Sequence, residues 1–373
     1  MKKIVLFAIC LLSPVLLKSQ EKMKISLVLP FEVSMGLEGA NVNNLDFLGG
    51  ALLAVEDLKR EGSFSSCSLN VVDLSDYFNS RHLLASGVLE GSSLIIGPIR
   101  TDDLYAVAQY GREYQIPVVS PMDMRTESLL EDNPYLYLFP PDGLLLQRQI
   151  EKVCTPLDGS AAENIVIVHE KGRSEMLPEI DSLLKEHGCR ARTFSYGILE
   201  GRKNDTLMHS LMNPACVNKL IVASENEPFV SDVLRHLRLT NANGKFDIIV
   251  YGMSKWRNFE SIEPVLFHEN RVNLSMHYFV NYGESRTAAF ENRFREVYHN
   301  DPSAYAFQGY DILTFFVHSL KKSAPGSLLQ SEVLFERVGE NGGWKNCAVR
   351  DVQYLPGWNI STGDTATVPQ YLE

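Results

Sequence analysis

Short motifs that mark catalytic and metal sites are missing from this sequence. It contains no H-E-x-x-H, no G-x-S-x-G, no phosphate-binding P-loop and no G-x-G-x-x-G after its first predicted strand. Its nine histidines are spread along the chain, and His169 and Glu170, which are adjacent in a predicted strand, point to opposite faces. These absences favour a binding protein over an enzyme, with no metal and no cofactor.

Cysteine is also scarce, and it follows no pairing pattern. One of the six cysteines, Cys10, lies in the apolar start of the chain, and the others are far apart without a C-x-x-C pair. An odd number leaves at least one of those five unpaired. One disulfide can form in an oxidising compartment, but burial as separate small apolar residues is the favoured interpretation. The five are Cys67, Cys154, Cys189, Cys216 and Cys347.

The apolar run at the start of the chain is too short to span a bilayer comfortably. Lys2 and Lys3 precede this run over residues 4–17, which is the pattern of a secretory signal peptide. Residues 1–20 are therefore predicted to be a signal peptide, and the protein is predicted to be exported to the periplasm. Cys10 follows Ile9 inside the run and is a poor acylation site, so a lipoprotein is not expected. An uncleaved anchor is the alternative.

The chain has fewer basic than acidic side chains. Without residues 1–20 the chain has 32 basic and 46 acidic side chains, a formal charge of −14. Such an acidic surface repels nucleic-acid phosphates and anionic membranes, and no basic stripe offsets it. Hydrophobic residues make up 45% and charged residues 22% of the chain, which is close to the average for soluble globular proteins and argues against disorder.

Strands and helices are predicted to alternate along the mature chain. Residues 24–30 (KISLVLP) form a short apolar run, and FLGGALLAVEDLKREG after it has apolar residues at helical spacing. The alternation continues to Ser120, breaks at the proline-rich PYLYLFPPDG, and restarts as far as Phe279. This order predicts parallel sheets covered by helices. A length of 373 residues is enough for two such lobes.

Three stretches carry a family resemblance: KISLVLPF with FLGGALLAVEDLKREG, LIIGPIRTDDLYAVAQYGREYQIPVVSP, and AYAFQGYDILTFFVHSLKK. They resemble the type I periplasmic binding proteins, notably the branched-chain amino acid receptors. The resemblance implies an α/β fold of two Rossmann-like lobes with parallel sheets and a hinged cleft between them. It assigns residues 21–140 and 283–323 to the N-terminal lobe, and residues 141–282 and 324–373 to the C-terminal lobe.

Six candidate ligand-binding residues follow predicted strands, where the loops of such sheets meet. An arginine suits a carboxylate, a serine hydroxyl suits a polar ligand, carboxylates suit a cationic group, and an indole can stack on a ligand. Plainer alternatives stay open: a turn cap for the serine, pairing with a nearby aspartate for the arginine, solvation for the carboxylates, and packing for the tryptophan. The six are Arg100, Ser120, Asp123, Glu170, Glu225 and Trp256.

Two positions depart from the pattern that the resemblance implies. The amino-acid receptors present a small residue and then a threonine after the Ser-Pro pair, whereas this chain has Asp123 and Met124. Met253 stands where those receptors have an acidic residue for the ligand ammonium. These departures argue against a plain amino-acid ligand.

The leading hypothesis is a monomeric, exported receptor whose lobes close on a small polar solute. The resemblance implies that such a receptor passes its solute to the membrane permease of an ABC transporter. The alternative is an envelope interaction module without a small ligand, similar to the lipoprotein activators of peptidoglycan synthases that share this architecture. Nucleic acid is not expected as a partner under either hypothesis.

Overall fold

The structure is a computed structural model, in which two seven-stranded sheets each form the centre of one lobe. The predicted signal peptide lies outside the described residues. Among the helices that the structure describes, none is long and apolar enough to cross a lipid bilayer. The described residues are 22–32, 39–121, 127–139, 144–157, 163–198, 209–242, 244–324, 328–330 and 333–364.

The first sheet belongs to the N-terminal lobe. Its strands are β1 (Met23–Leu29), β2 (Cys67–Asp73), β3 (Ser92–Ile96), β4 (Val118–Ser120), β5 (Leu136–Leu138), β11 (Phe335–Arg337) and β12 (Trp344–Asn346). They lie in the order β11-β12-β5-β4-β3-β1-β2, and every neighbouring pair is parallel except β11 with β12. A parallel sheet is covered on both faces, and the apolar residues at the centres of β1 and β3 are accordingly buried.

The second sheet belongs to the C-terminal lobe. Its strands are β6 (Glu163–Glu170), β7 (Arg192–Tyr196), β8 (Val217–Val222), β9 (Asp247–Tyr251), β10 (Val272–Met276), β13 (Arg350–Leu355) and β14 (Asn359–Asp364). They lie in the order β14-β13-β10-β9-β8-β6-β7. Strands β6 to β10 are parallel, whereas β13 and β14 form an antiparallel hairpin at one edge.

Helices cover the sheets, and two that are far apart in the chain cross closely. The helices are α1 (Gly39–Arg60), α2 (Ser80–Ala85), α3 (Thr101–Tyr114), α4 (Leu145–Cys154), α5 (Leu177–Glu186), α6 (Glu227–Thr240), α7 (Pro264–Glu269), α8 (Ser285–Tyr298) and α9 (Ala304–Leu320). A Cβ atom added at Gly50 of α1 would clash with the Ala306 carbonyl of α9, and one added at Gly309 would clash with the Phe47 carbonyl. Glycine at both positions lets the two backbones touch.

The chain crosses between the lobes three times, always at the carboxyl edge of a sheet. It leaves the first sheet after β5, returns after β10, and leaves again after β12. Strands β12 and β5 are parallel, and β13 begins opposite the carboxyl end of β10. Because parallel strands all end at one edge, the carboxyl edges of both sheets lie at the junction of the lobes.

Strand pairing puts the last crossing later than the sequence analysis did. The predicted boundary after residue 323 gave residues 324–373 to the C-terminal lobe, but β11 and β12 pair in the first sheet. The final crossing therefore spans residues 347–349. Each of these strands has only three residues, which is too short for a strand period to be recognised in the sequence. Helices α8 and α9 pack on α1 in the first lobe.

The predicted two-lobed α/β class is confirmed, with one correction to the sheets. The alternation of strands and helices predicted parallel sheets, whereas both sheets are mixed. Each sheet has a hairpin at one edge: residues 338–343 join β11 to β12, and a tight turn that contains Gly357 with a positive φ of 76° joins β13 to β14. Strands joined by such a short turn must run antiparallel.

Cys154 and Cys189 form a disulfide that joins the end of α4 to the segment after α5. Their Cα atoms lie 5.9 Å apart, within the range that disulfides require. The expectation that all five cysteines are buried separately is therefore wrong for this pair. The two are 35 residues apart in sequence, so no motif spacing indicates their contact. Cys67, Cys216 and Cys347 lie outside this disulfide.

Asp311 of α9 is a buried carboxylate that holds the segment after the helix. Its oxygens accept hydrogen bonds from the backbone N–H groups of Leu329 at 2.7 Å and Gln330 at 2.8 Å. Burial raises the pKa of Asp311 to about 7, although the two hydrogen bonds and the charges of Arg286 and Arg350 oppose this rise. The carboxyl group therefore titrates near neutral pH in the folded protein.

We expect Gly309→Ala to destabilise the protein by about 3 kcal/mol, because no rotamer change can relieve an overpacked backbone contact. This loss outweighs the roughly 1 kcal/mol that alanine gains in helix propensity. Chemical denaturation measures the change. Gly363→Ala is the control, since a Cβ there meets nothing within 4 Å. An unchanged midpoint for Gly309→Ala would contradict the close crossing of α1 and α9.

We expect Asp311 to make the folded protein less stable as the pH rises. Its pKa is raised from 3.8 to about 7, so the folded state keeps a proton that the unfolded chain loses. The contribution is fully present below pH 3.8 and is lost as the pH passes through 7, with a slope of up to about 1.4 kcal/mol per pH unit. In Asp311→Asn the unfolding free energy should vary less between about pH 5 and 8. Parallel pH curves for the two proteins would refute the raised pKa.

Candidate functional site

An open pocket lies at the carboxyl edge of the second sheet, where the loops after β6, β8 and β9 meet. Its volume is about 590 Å³, which is enough for a small metabolite. Its walls carry two basic and two acidic side chains beside hydroxyl, amide and apolar groups. The lining residues are Arg173, Ser174, Glu175, Met176, Leu177, Ala223, Ser224, Glu225, Asn226 and Lys255.

Glu170, at the end of β6, holds one side of the pocket together. Its Oε2 accepts a hydrogen bond from Nδ2 of Asn226 at 2.8 Å and pairs with Nε of Arg173 at 3.1 Å. The Glu170 side chain is 19% exposed, whereas the Arg173 side chain is 65% exposed. Glu170 therefore positions two pocket residues, and its own carboxylate is already engaged.

Glu225 and Lys255 approach each other loosely on another side of the pocket. The Lys255 Nζ lies 3.4 Å from Oε2 of Glu225, and both side chains are about half exposed. Such a pair stabilises the fold by less than about 1 kcal/mol, so a ligand can rearrange it at small cost. Nearby, the Ser224 hydroxyl accepts a hydrogen bond from the backbone N–H of Asn226 at 3.1 Å.

Trp256 supports the pocket from behind and has no exposed surface for stacking on a ligand. It is completely buried, and its indole N–H donates to the Ser224 carbonyl at 2.8 Å. The ring packs over Gly252, where a Cβ atom would clash with it, and lies 6.5 Å from the Phe267 ring. The packing alternative from the sequence analysis therefore describes Trp256, which holds the backbone of the β8 loop in place.

In the first lobe, Ser120 lies at the carboxyl end of β4. It is completely buried, and its Oγ has no hydrogen-bond partner among the described residues. A buried hydroxyl without a partner is costly, so its donor suits a guest that enters at this edge. Arg100 is 68% exposed and its Nε pairs with Asp103 at 2.9 Å, as the plainer alternative expected. Asp123 lies outside the described residues.

The structure brings some of the predicted residues together and adds others. Glu225 lines the pocket and Glu170 braces it, whereas Arg100 and Ser120 belong to the other lobe and do not line it. Arg173, Ser174 and Lys255 were missed because the shape of two loops brings them to the pocket, and no periodic pattern encodes that shape. The available signal for Arg173 was its position three residues after the candidate acid Glu170, whereas Lys255 is 30 residues from Glu225 in sequence. Among the described residues, no group of His, Cys, Asp and Glu could hold a metal ion.

The lobe junction is built around one backbone carbonyl. The carbonyl oxygen of Phe139, just after β5, accepts hydrogen bonds from the Tyr278 hydroxyl at 2.9 Å and from Nδ2 of Asn346 at 3.3 Å. Burial raises the pKa of Tyr278 far above its usual value, so this hydroxyl stays protonated. Arg257 adds a bond to the Tyr278 carbonyl at 2.8 Å and lies 5.2 Å from the Phe279 ring centre. All three crossings therefore meet at this point.

No family model and no curated protein matches the sequence, but solved structures match most of the chain. One from Rhodospirillum rubrum, described as a branched-chain amino acid ABC transporter, has a TM-score of 0.60 and 13% identity over 92% of this chain and all of its own. A branched-chain amino acid ABC transporter periplasmic ligand-binding protein from Burkholderia xenovorans has a TM-score of 0.51 and 12% identity over 93% and 96% of the two chains.

A third match is full-length LpoA from Haemophilus influenzae, with a TM-score of 0.52 and 12% identity. It covers 93% of this chain but only 59% of LpoA. At such identities the comparisons show the fold alone. The resemblance found in the sequence is confirmed at that level, and this chain has the two-lobed α/β fold of the type I periplasmic binding proteins.

Proposed function

We propose that this chain is an exported solute-binding protein that captures a small polar ligand and is not an enzyme. The observation that carries the proposal is the open pocket at the carboxyl edge of the second sheet. This edge lies at the lobe junction, where a ligand can contact both lobes. Closure of the lobes on the ligand would be a hinge motion at the crossings around Phe139.

The lining of the pocket supports a polar ligand. Two basic and two acidic side chains, three amide or hydroxyl side chains and three apolar ones surround the space. Specific solute sites combine apolar walls with a few well-placed polar groups, and this pocket is weighted towards the polar side. The unpartnered hydroxyl of Ser120 offers a further contact from the first lobe.

A transport role is part of the proposal. The solved structures from R. rubrum and B. xenovorans that share this fold are both named as ABC transporter proteins, the second as a periplasmic ligand-binding protein. The predicted signal peptide agrees with a periplasmic location. We therefore propose a membrane permease of an ABC transporter as the partner that receives the solute from a monomeric receptor.

A second candidate function is an envelope interaction module without a small ligand. Its support is the shared fold with LpoA, together with Asp123, Met124 and Met253 at positions where the amino-acid receptors have other residues. Under this function the pocket would be occupied by a protein segment. The charged pocket walls favour the first function, because polar groups of both signs suit a small charged solute.

We expect a polar metabolite to stabilise the purified mature protein against heat. At 100 times its Kd a ligand adds about 2.7 kcal/mol to the free energy of unfolding. A thermal-shift screen of polar metabolites, followed by native mass spectrometry of the untreated protein, identifies the solute. The envelope module would replace the transport proposal if no metabolite in a broad library shifted the melting temperature and the protein pulled down a peptidoglycan synthase.

We expect Ser120→Ala to weaken binding of the solute found in that screen about tenfold, the effect of losing one hydrogen bond. Stability should stay within about 1 kcal/mol, because this hydroxyl has no partner in the described part of the first lobe. Calorimetric titration measures the affinity. Thr287→Val is the matched control, since Thr287 of α8 is equally buried and its hydroxyl is likewise unpartnered among the described residues. Equal affinities in all three proteins would remove Ser120 from the site.

A further inference from the structure

Two cationic side chains reach the pocket from different loops. Arg173 comes from the loop after β6, and Lys255 from the loop after β9. The Arg173 side chain is 65% exposed and that of Lys255 is 58% exposed. Both groups are therefore accessible to a solute that enters the pocket.

Arg173 is oriented before any ligand arrives. Its Nε pairs with Glu170, and its backbone N–H donates to the Glu170 carbonyl at 3.0 Å. The terminal Nη1 and Nη2 groups have no partner among the described contacts of this residue. A guanidinium held at Nε presents these two groups as a fork, which matches two oxygens of a carboxylate or a phosphate.

Two helix N-termini face the same space. Residues 174–177 lead into α5 and residues 224–226 lead into α6, and both segments line the pocket. Neither helix has a side-chain cap among the described hydrogen bonds. Pro178 and Pro228 are the second residues of these helices and have no N–H, so the helix starts contribute mainly the positive end of the helix dipole, which favours an anion. They add to the attraction that the two basic side chains exert.

The acidic residues around the pocket differ in how far they offset the attraction of an anion to Arg173 and Lys255. Glu170 is already bound to Arg173 and Asn226, and Glu225 lies within reach of Lys255. Glu175 is the remaining carboxylate in the wall. An anion can therefore displace Glu225 from Lys255 while Arg173 stays braced by Glu170.

We propose that the second lobe holds the solute by an oxyanion group, a carboxylate or a phosphate, with Arg173 as the main contact and Lys255 as the second. The inference rests on the proposed solute-binding function and names the chemistry of its ligand. It also assigns opposite roles to two neighbouring residues, because Arg173 attracts the oxyanion and Glu175 repels it.

The test compares acids with their uncharged amides. Butyrate, succinate, benzoate and inorganic phosphate are titrated into the mature protein by calorimetry, with butyramide, succinamide and benzamide as matched uncharged probes. We expect at least one acid to bind while its amide does not, and the phosphate arm separates the two kinds of oxyanion. Arg173→Gln should weaken that binding by roughly 10-fold to 100-fold, the effect of losing a bidentate charged contact. Glu175→Gln should strengthen binding of the acid several-fold. Misfolding of the variant cannot explain such a gain, because it would weaken binding.

Arg238→Gln is the control for loss of a positive charge. Arg238 lies on α6 in the same lobe, pairs with Glu269 at 2.8 Å and does not line the pocket. Its removal should leave the affinity for the acid unchanged. Undiminished acid binding in Arg173→Gln would overturn the inference. Binding of uncharged or cationic metabolites alone would also overturn it while leaving the solute-binding function intact, whereas failure of every solute would overturn both.

Discussion

The hydrogen bonds to the carbonyl oxygen of Phe139 are the constraint on which the two-lobed arrangement depends. Three separate stretches of chain cross between the lobes, and this oxygen accepts bonds from the other two through Tyr278 and Asn346. Both donors are side chains, so the junction depends on the identity of these residues and not on backbone pairing alone. Because each crossing leaves a sheet at its carboxyl edge, holding the crossings together also holds those edges towards each other.

The first lobe is closed by residues that are distant in the chain. Helix α9 lies on α1 through the Gly50 and Gly309 contacts, and Asp311 then fastens the segment that leads to β11 and β12. The part of the chain that returns to the first lobe is therefore held at two places on α9, first at Gly309 and then at Asp311. This packing gives the crossings a rigid frame, while the pocket loops of the second lobe rest on Trp256.

Much of the fold could be predicted from the sequence, and part of the site could not. Buried parallel strands are short apolar runs between amphipathic helices, so their order is readable, whereas three-residue strands such as β5 and β11 are too short for any period. Glu170 and Glu225 were identified because they lie at or shortly after the ends of strands. Arg173 and Lys255 approach the pocket through the shape of two loops, which no periodic pattern encodes. A sequence also cannot tell whether an aromatic residue such as Trp256 faces a ligand or the core.

The location of the pocket on a single lobe has a consequence for the order of events in capture. Every described wall of the pocket comes from the second lobe, so a solute can complete its first set of contacts while the protein is still open. Under the proposed solute-binding function, the second lobe would then govern how fast a solute is first bound, and the first lobe would govern how long it stays bound. Substitutions in the second lobe would then change mainly the association rate of the solute, and substitutions in the first lobe mainly its dissociation rate.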